Sequence, residues 1–520
     1  VSGLTGMGLV LRNNGGDDLA IASDGSFTFN SALTSGATYR VTVATQPASP
    51  APPCTVLDGG GTVNGNVAYV TVTCFPQQSV VFSRRAGGAQ YDLYSVKEDG
   101  TGLAAVADTS DEETFHGITP NRRVIFRRRS AGQNDVYSVM LDGTGLAALA
   151  NTTDSEIPQA ITPTGRVILS RSTGGQSDLY SINEDGTDQR TLANTADSEF
   201  SAVAAPAGRV VYGRSIGGQV DLYSVNEDGT DQRTLANTSD TELFAGLTTP
   251  GGRILSYRQL SSGLLDLYSV NVDGTGLVPL SSAPDVDEIA FAVAANERVL
   301  YFRGSIPGQN DQYDLYSIKA DGSGLVTLAT GTYGGVGTTP DGRLIFSRST
   351  ASTGNDLYTI NADGTGLVAL ANATGDEFFG GVTPAGKILF RRDTGVAQSD
   401  LYIINADGTG EVRLTNTPEN ESSACSTACA AAGGRVLFKR DSAVPGMYDL
   451  YSIREDGSGE VALVVAAGET VDFVASTANG RVLFYRLSNA QFDLYSIRAD
   501  GTDQWTLANS ADDEIFQGQR

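Results

Sequence analysis

Carboxylates are the residues of this chain whose spacing most suggests chemistry. Acidic side chains recur at one point of a repeating pattern: Asp111 and Glu113, Asp154 and Glu156, Asp197 and Glu199, Asp240 and Glu242, Asp287 and Glu288, Asp376 and Glu377, Asp513 and Glu514. Each set stands just ahead of a short apolar run. If those runs surround a common axis, Glu113, Glu156, Glu199, Glu242, Glu288, Glu377 and Glu514 gather into a rim of like charge, which is costly unless cations or arginines neutralise it. A rim of that kind is a candidate site for a divalent cation such as Ca2+ or for a cationic ligand. The plainer reading is turn capping, with Asp and Glu accepting backbone N–H groups at each strand entry.

Other chemistry is sparse. His116 is the one histidine and Trp505 the one tryptophan. No His-Glu-x-x-His, nucleophile motif or phosphate-cradling loop accompanies them, so the sequence assigns no catalytic residue and no cofactor. The recurrent Asn-x-Asp-Gly-Thr faintly resembles a calcium loop but lacks the full ligand spacing and the distal Glu; it reads as a hairpin turn. Four cysteines fall into two local pairs, Cys54 with Cys74 and Cys425 with Cys429. Thiolate metal ligands and disulfides compete for them. With one histidine and no second Cys couple beside either pair, disulfides are expected, which points outside the cytoplasm.

The elements that position these residues follow from a repeat. Asp-Leu-Tyr or a close variant begins at Asp92, Asp135, Asp178, Asp221, Asp266, Asp314, Asp356, Asp400, Asp449 and Asp493, at separations of 42 to 49 residues. A period of that length built from short strand-like runs is the signature of a β-propeller, each repeat being a blade that cannot bury its faces alone. In one repeat, Arg166-Val-Ile-Leu-Ser-Arg, Asp178-Leu-Tyr-Ser-Ile-Asn, Gln189-Arg-Thr-Leu-Ala and Phe200–Ala204 are four β-prone runs separated by Gly, Asp, Asn and Pro clusters. The step at Asp185-Gly186 closes the second hairpin, where a positive φ is needed. Arg171, Arg214 and Arg348 precede Asp178, Asp221 and Asp356 by a few residues, which predicts cross-strand ion pairs. The tyrosines that follow (Tyr180, Tyr223, Tyr358) read as packing between blades.

Thr339-Pro-Asp-Gly-Arg343, followed by the Asp356-Leu-Tyr strand and its Asp363-Gly-Thr turn, resembles the TolB-type propeller repeat, and the resemblance extends over residues 79 to 520. It implies that the run after each acidic set is the innermost strand of a blade. The C-terminal run Asp513-Glu-Ile-Phe-Gln-Gly is expected to complete the first blade beside Ser79–Ser83. Ten blades exceed the usual four to eight, so two five-bladed rings are an alternative. That arrangement would have to cross between rings on Ala294–Glu297, which reaches only about 14 Å, and a single ten-bladed ring is the expectation.

Residues 1–75 differ. Gly8–Asn13, Asp18–Ala22, Gly25–Asn30, Tyr39–Ala44 and Ala68–Thr73 alternate apolar and polar residues, predicting a small antiparallel sandwich. They resemble Ig-like or carboxypeptidase-regulatory-like modules of bacterial surface proteins, in which another strand usually comes before the run at Val1. A formal charge of −25 and a pI near 4.4 exclude nucleic acid as a partner, and no apolar run is long enough to span a membrane. The function expected from sequence is a non-catalytic scaffold or binding protein, extracellular or at the cell surface, with a periplasmic setting as the alternative. It would recognise protein, glycan or another copy of itself and assemble into polymers. The competing expectation is a carboxylate- or metal-dependent glycan-active enzyme at the channel mouth.

Overall fold

The structure is a computed structural model that describes residues 1–48, 51–86, 90–282, 286–294, 296–304, 313–332, 337–350, 354–373, 375–393, 398–424, 430–431, 434–465, 468–488 and 491–520. Its repeat is a four-stranded antiparallel sheet. In the one that begins at Ser155, the strands are Ser155–Ile161, Val167–Thr173, Gln176–Ile182 and Arg190–Ala193. Val167 faces Ile182, Leu169 faces Tyr180 and Arg171 faces Asp178 across the central hairpin. β-Branched and aromatic residues fill both faces, and residues 167–169 are essentially inaccessible to water, as a sheet stacked between two others requires. At the Asp-Gly turn, Asp185 Oδ1 accepts the Thr187 N–H at 2.9 Å and the Thr187 hydroxyl at 2.6 Å. In the preceding repeat Gly143 has φ 79°, and a Cβ there would stand 2.2 Å from the Ala105 carbonyl of the neighbouring sheet. Only glycine meets both the left-handed backbone and that approach.

Nine such sheets, and a tenth in which both Glu421–Ser423 and Ala430–Ala431 pair with the second strand, are present among the described residues, numbered here as blades 1 to 10 in chain order. The C-terminus completes blade 1: Glu514–Gln519 pairs with Ser79–Ala86, placing Glu514 opposite Arg84 and Phe516 opposite Phe82. The first strands of neighbouring blades approach one another, as Ser155–Ile161 does Ser198–Ala205, while the fourth strands make no comparable contact. The first strand of each blade is therefore innermost.

A buried cluster joins each blade to the next. Leu255 and Leu267 of blade 5 pack on Val299 and Tyr301 of blade 6; Leu483 and Leu494 of blade 10 pack on Val80 and Phe82 of blade 1. The contacts thus run from blade 1 through blade 10 and back. A hydrogen bond repeats along the same path: the third-strand serine donates to a turn carbonyl of the following blade, as Ser224 does to Val272 and Ser496 to Glu98, both at 2.6 Å. In blade 8 Ile403 takes the serine's place. With each buried Val, Leu or Phe contributing about 1.5–3 kcal/mol, the junctions rather than the isolated sheets carry the stability.

The N-terminal residues form a sheet in the order Asp17–Ile21, Leu9–Asn13, Thr38–Thr45, Gly60–Thr62, and a short pair, Thr55–Leu57 with Thr71–Thr73. Leu9, Leu11, Tyr39, Val41 and Val72 make the core between them. Gly25–Asn30, expected as a strand, is not one: Gly25 bonds Val1, and beyond it no neighbouring strand among the described residues supplies partners. Cys54 and Cys74 are disulfide-bonded across a separation of 20 residues, a closure for which the chain-entropy account gives roughly 3 kcal/mol. Cys425 and Cys429 lie outside the described residues. The module rests on blades 9 and 10. Asp58 accepts from Arg435 at 3.0 Å and Arg454 at 2.7 Å, and Arg454 lies 3.7 Å from the centre of the Tyr69 ring.

Candidate functional site

The recurrent glutamate begins the innermost strand of its blade, and the structure assigns it a partner that sequence spacing did not. Arg128, Arg171, Arg214 and Arg392 place Nε 3.2, 3.0, 3.0 and 2.8 Å from Oε1 of Glu113, Glu156, Glu199 and Glu377. Arg84 with Glu514, Arg258 with Glu242 and Arg303 with Glu288 repeat the pairing at 3.3 to 4.0 Å. These arginines do stand opposite the Asp-Leu-Tyr aspartates, Arg171 facing Asp178 and Arg214 facing Asp221. The ion pair nonetheless goes to the glutamate on the other neighbouring strand, because the guanidinium lies over the tyrosine ring that follows the aspartate, 4.4 Å from its centre for Arg214 on Tyr223 and 4.7 Å for Arg171 on Tyr180. The tyrosine also stacks on an aromatic of its own blade, Tyr223 on Tyr212 at 5.8 Å and Tyr358 on Phe346 at 5.6 Å.

The seven glutamates are buried, none more than 2% exposed. They form no open acidic rim, which corrects the expectation of a charged channel mouth. The physical reason is that each carboxylate is turned between blades with Oε1 toward its arginine, while Oε2 of Glu113, Glu156, Glu199, Glu242, Glu377 and Glu514 is buried without a hydrogen-bond partner among the described residues. Thr109, Thr152 and Thr195, four residues ahead of Glu113, Glu156 and Glu199, donate to Oε1 at 2.5 Å, while Asp287, Asp376, Asp513 and Glu514 accept the backbone N–H of Leu265, Asn355, Phe492 and Ser510 at 3.0, 2.8, 3.1 and 3.1 Å, as the capping reading expects. Burial pushes Glu113, Glu199, Glu242 and Glu514 above the ordinary carboxylate range and holds Glu377 up at about 7. Glu421 with Arg440, at 2.7 Å, is an eighth member not marked by the acidic pairs, whereas blade 10 has Val471 opposite Arg486. Among the described residues no group of three or more His, Cys, Asp or Glu side chains is placed to hold a metal ion. His116 stands on the inner strand of blade 2, with burial pushing its pKa down.

What the inner strands do present is apolar. The residue after the buried glutamate takes the opposite side of the strand, and Ile157, Leu243, Ile289 and Phe378 are 36 to 37% exposed there. Phe200 and Ile515 occupy the same place, half-buried; Thr114, Ser422 and Asp472 are its polar members. Sequence reasoning missed this position, although aligning the repeats on their glutamates would have found it. Large apolar side chains held at one level of successive inner strands can bind apolar groups of a ligand that enters the ring.

The chain has the TolB-like β-propeller fold. No family model matches it, and no curated protein does. Solved structures that it resembles include TolB from Acinetobacter baumannii, at 16% identity and a TM-score of 0.28 over 48% of this chain and 62% of that one. Others are the tricorn protease, at 12% identity and 0.29 over 82% and 49%, and puromycin hydrolase, at 14% identity and 0.35 over 68% and 52%. The likeness is one of fold, and the chain spans between about half and 62% of the length of these three. The expectation of a non-catalytic scaffold is corrected by them: the neighbours include a protease and a hydrolase as well as TolB, so a propeller without a familiar catalytic motif does not define a non-catalytic protein. Among the described residues no helix is long and apolar enough to cross a membrane. The Cys54–Cys74 disulfide belongs to an oxidising compartment, secreted or periplasmic.

Proposed function

We propose that the ring receives polypeptide, in the secreted or periplasmic space, holding extended and partly apolar segments against its inner strands. The observation that supports this reading is the series Ile157, Leu243, Ile289 and Phe378, large apolar side chains left open to solvent at one level of four blades. Exposed apolar groups arranged in register are the usual mark of a binding surface, and peptide side chains are their natural complement. The acidic composition favours segments that also carry basic residues. On this reading residues 1–75 and 79–520 are two folded units, the first seated on blades 9 and 10.

Fluorescein-labelled ribonuclease, reduced and carboxymethylated so that it stays unfolded, tests the proposal. Saturable binding is expected, weakened about tenfold, or ~1.4 kcal/mol, by Leu243→Asp with Ile289→Asp. Mass spectrometry of the same incubation shows whether the bound chain is cut. Absence of binding, or binding that ignores the double substitution, would refute the reading.

A further inference from the structure

The arginine of the buried Glu–Arg pair has more donors than its glutamate uses, and in blades 8 and 9 a second carboxylate takes them. Arg392 directs Nη1 and Nη2 to Oε1 and Oε2 of Glu411, at 3.2 and 3.0 Å, while its Nε stays 2.8 Å from Glu377. Arg440 repeats the arrangement on Glu460, both bonds at 2.9 Å, with Nε 2.7 Å from Glu421. Two parallel N–H···O bonds to one carboxylate are the geometry by which a guanidinium recognises that group. Glu411 and Glu460 hold equivalent places in their repeats, in Asp407-Gly-Thr-Gly-Glu411 and Asp456-Gly-Ser-Gly-Glu460.

In blades 2, 3 and 4 that place is held by Leu146, Gln189 and Gln232, yet the arginine keeps its pose. Nε of Arg128, Arg171 and Arg214 lies 3.2, 3.0 and 3.0 Å from its glutamate. The guanidinium lies 4.5, 4.7 and 4.4 Å from the centre of the tyrosine ring, against 4.4 Å for both Arg392 and Arg440. A planar group fixed through Nε and by the ring beneath it has its two outer nitrogens fixed as well, so these forks open toward the position that Glu411 fills in blade 8. Among the described residues they meet no second carboxylate. Arg171 makes no further hydrogen bond there, and Nη2 of Arg214 makes only a long one, 3.5 Å from the Tyr212 hydroxyl. The side chains of Arg128 and Arg171 are 17 and 18% exposed, against 11 and 10% for Arg392 and Arg440, so solvent reaches the unfilled forks.

The geometry points to a carboxylate-binding slot on each of blades 2, 3 and 4, which takes the carboxylate of a small ligand where Glu411 and Glu460 supply one internally in blades 8 and 9. The Glu–Arg–Glu arrangement of those two blades shows that a buried glutamate on Nε does not prevent a second anion from binding the same arginine. Size follows from charge. A polyanion would bring its remaining charges against a chain of net charge −25, whereas a small monocarboxylate brings one charge to one fork. Leu146, 54% exposed beside the blade 2 slot, favours an acid with a short apolar tail. The slots lie beside the fourth strands, Ala147–Ala150, Arg190–Ala193 and Arg233–Ala236, away from the inner strands.

Saturation-transfer NMR on the full chain tests the slots with butyrate, and with butyramide as its neutral isostere. Butyrate should bind saturably and butyramide about tenfold more weakly, the difference between hydrogen bonds to a charged and to a neutral acceptor. Leu146→Glu with Gln189→Glu and Gln232→Glu gives the three blades the side chain that blades 8 and 9 carry; butyrate binding should be lost and the melting temperature should not fall. Leu243→Asp with Ile289→Asp, on the inner strands, controls for added negative charge and should leave butyrate binding unchanged. Glu411→Leu should do the reverse of the triple substitution, opening a slot in blade 8 and raising the amount bound. Acetyl-dialanine carries the terminal carboxylate of a peptide: tighter binding than butyrate identifies a peptide end as the ligand, weaker binding a free acid. Equal binding of butyrate and butyramide would overturn the proposal. So would butyrate binding that survives the triple substitution, or that falls as much with the inner-strand pair. The slots are independent of the ring reading, which the labelled ribonuclease tests separately.

Discussion

At the scale of residues, the buried Glu–Arg pair is the recurrent unit, and its electrostatics make a prediction with a definite sign. Burial holds Glu377 near 7, above its ordinary value of 4.5, although Arg392 and its hydrogen bond pull the other way. A carboxyl whose folded pKa lies above its unfolded one contributes stability that is fully present below about pH 4.5 and is lost as pH rises through about 7. Glu113, Glu199, Glu242, Glu421 and Glu514 are shifted in the same direction. The melting temperature should therefore be higher at pH 5 than at pH 8. Because the overall negative charge also relaxes on acidification, the comparison is with Glu377→Gln, which should flatten part of the difference. A variant with the same pH dependence as the parent would show that burial of this carboxyl has no such effect.

At the scale of elements, closure of the ring rests on one strand. Glu514–Gln519 supplies the inner strand of blade 1, including the partner of Arg84 and the contact of Phe516 with the blade 10 and blade 1 cluster. Removing residues 512–520 exposes the edge of Ser79–Ala86, leaves Arg84 without its carboxylate and opens the junction to blade 10. Calorimetry should show a fall of about 5 °C or more; an unchanged transition would mean that closure does not depend on this strand.

At the scale of the whole molecule, the seat of the N-terminal module turns on one buried carboxylate. Asp58 pairs with Arg435, which is inaccessible to solvent, and with Arg454, while its backbone N–H donates to Asp500 at 3.2 Å. Asn479 adds a bond to the Pro76 carbonyl at 3.1 Å. Asp58→Ala leaves a buried guanidinium without its counter-charge, a loss of about 3–5 kcal/mol. Small-angle scattering should then show a larger radius of gyration, and the connection around Phe75–Gln78 should become sensitive to protease. If neither changes, the module is held by other contacts.

Much of this architecture was legible in the sequence because its signals are local and repeated. The Asp-Gly turns, the period of 42 to 49 residues and the alternation of the central strands each depend on a few adjacent residues, so the blade and the pairing of Glu514–Gln519 with the strand at Ser79 follow from counting. Cys54 with Cys74 was readable because one short loop separates them. Partner choice was not readable in the same way. Arg214 has an aspartate on one neighbouring strand and a glutamate on the other, and which of them it meets depends on where the Tyr223 ring lies in three dimensions. The same holds for the expected acidic rim: spacing placed the glutamates on inner strands, but whether a carboxylate turns toward the axis or between blades is settled by packing against the adjacent sheet. Gly25–Asn30 alternates like a strand and is not one, because a strand requires a neighbour as well as a pattern. Alternation is a property of the segment and so is written in the sequence; the neighbour is a property of the tertiary structure alone.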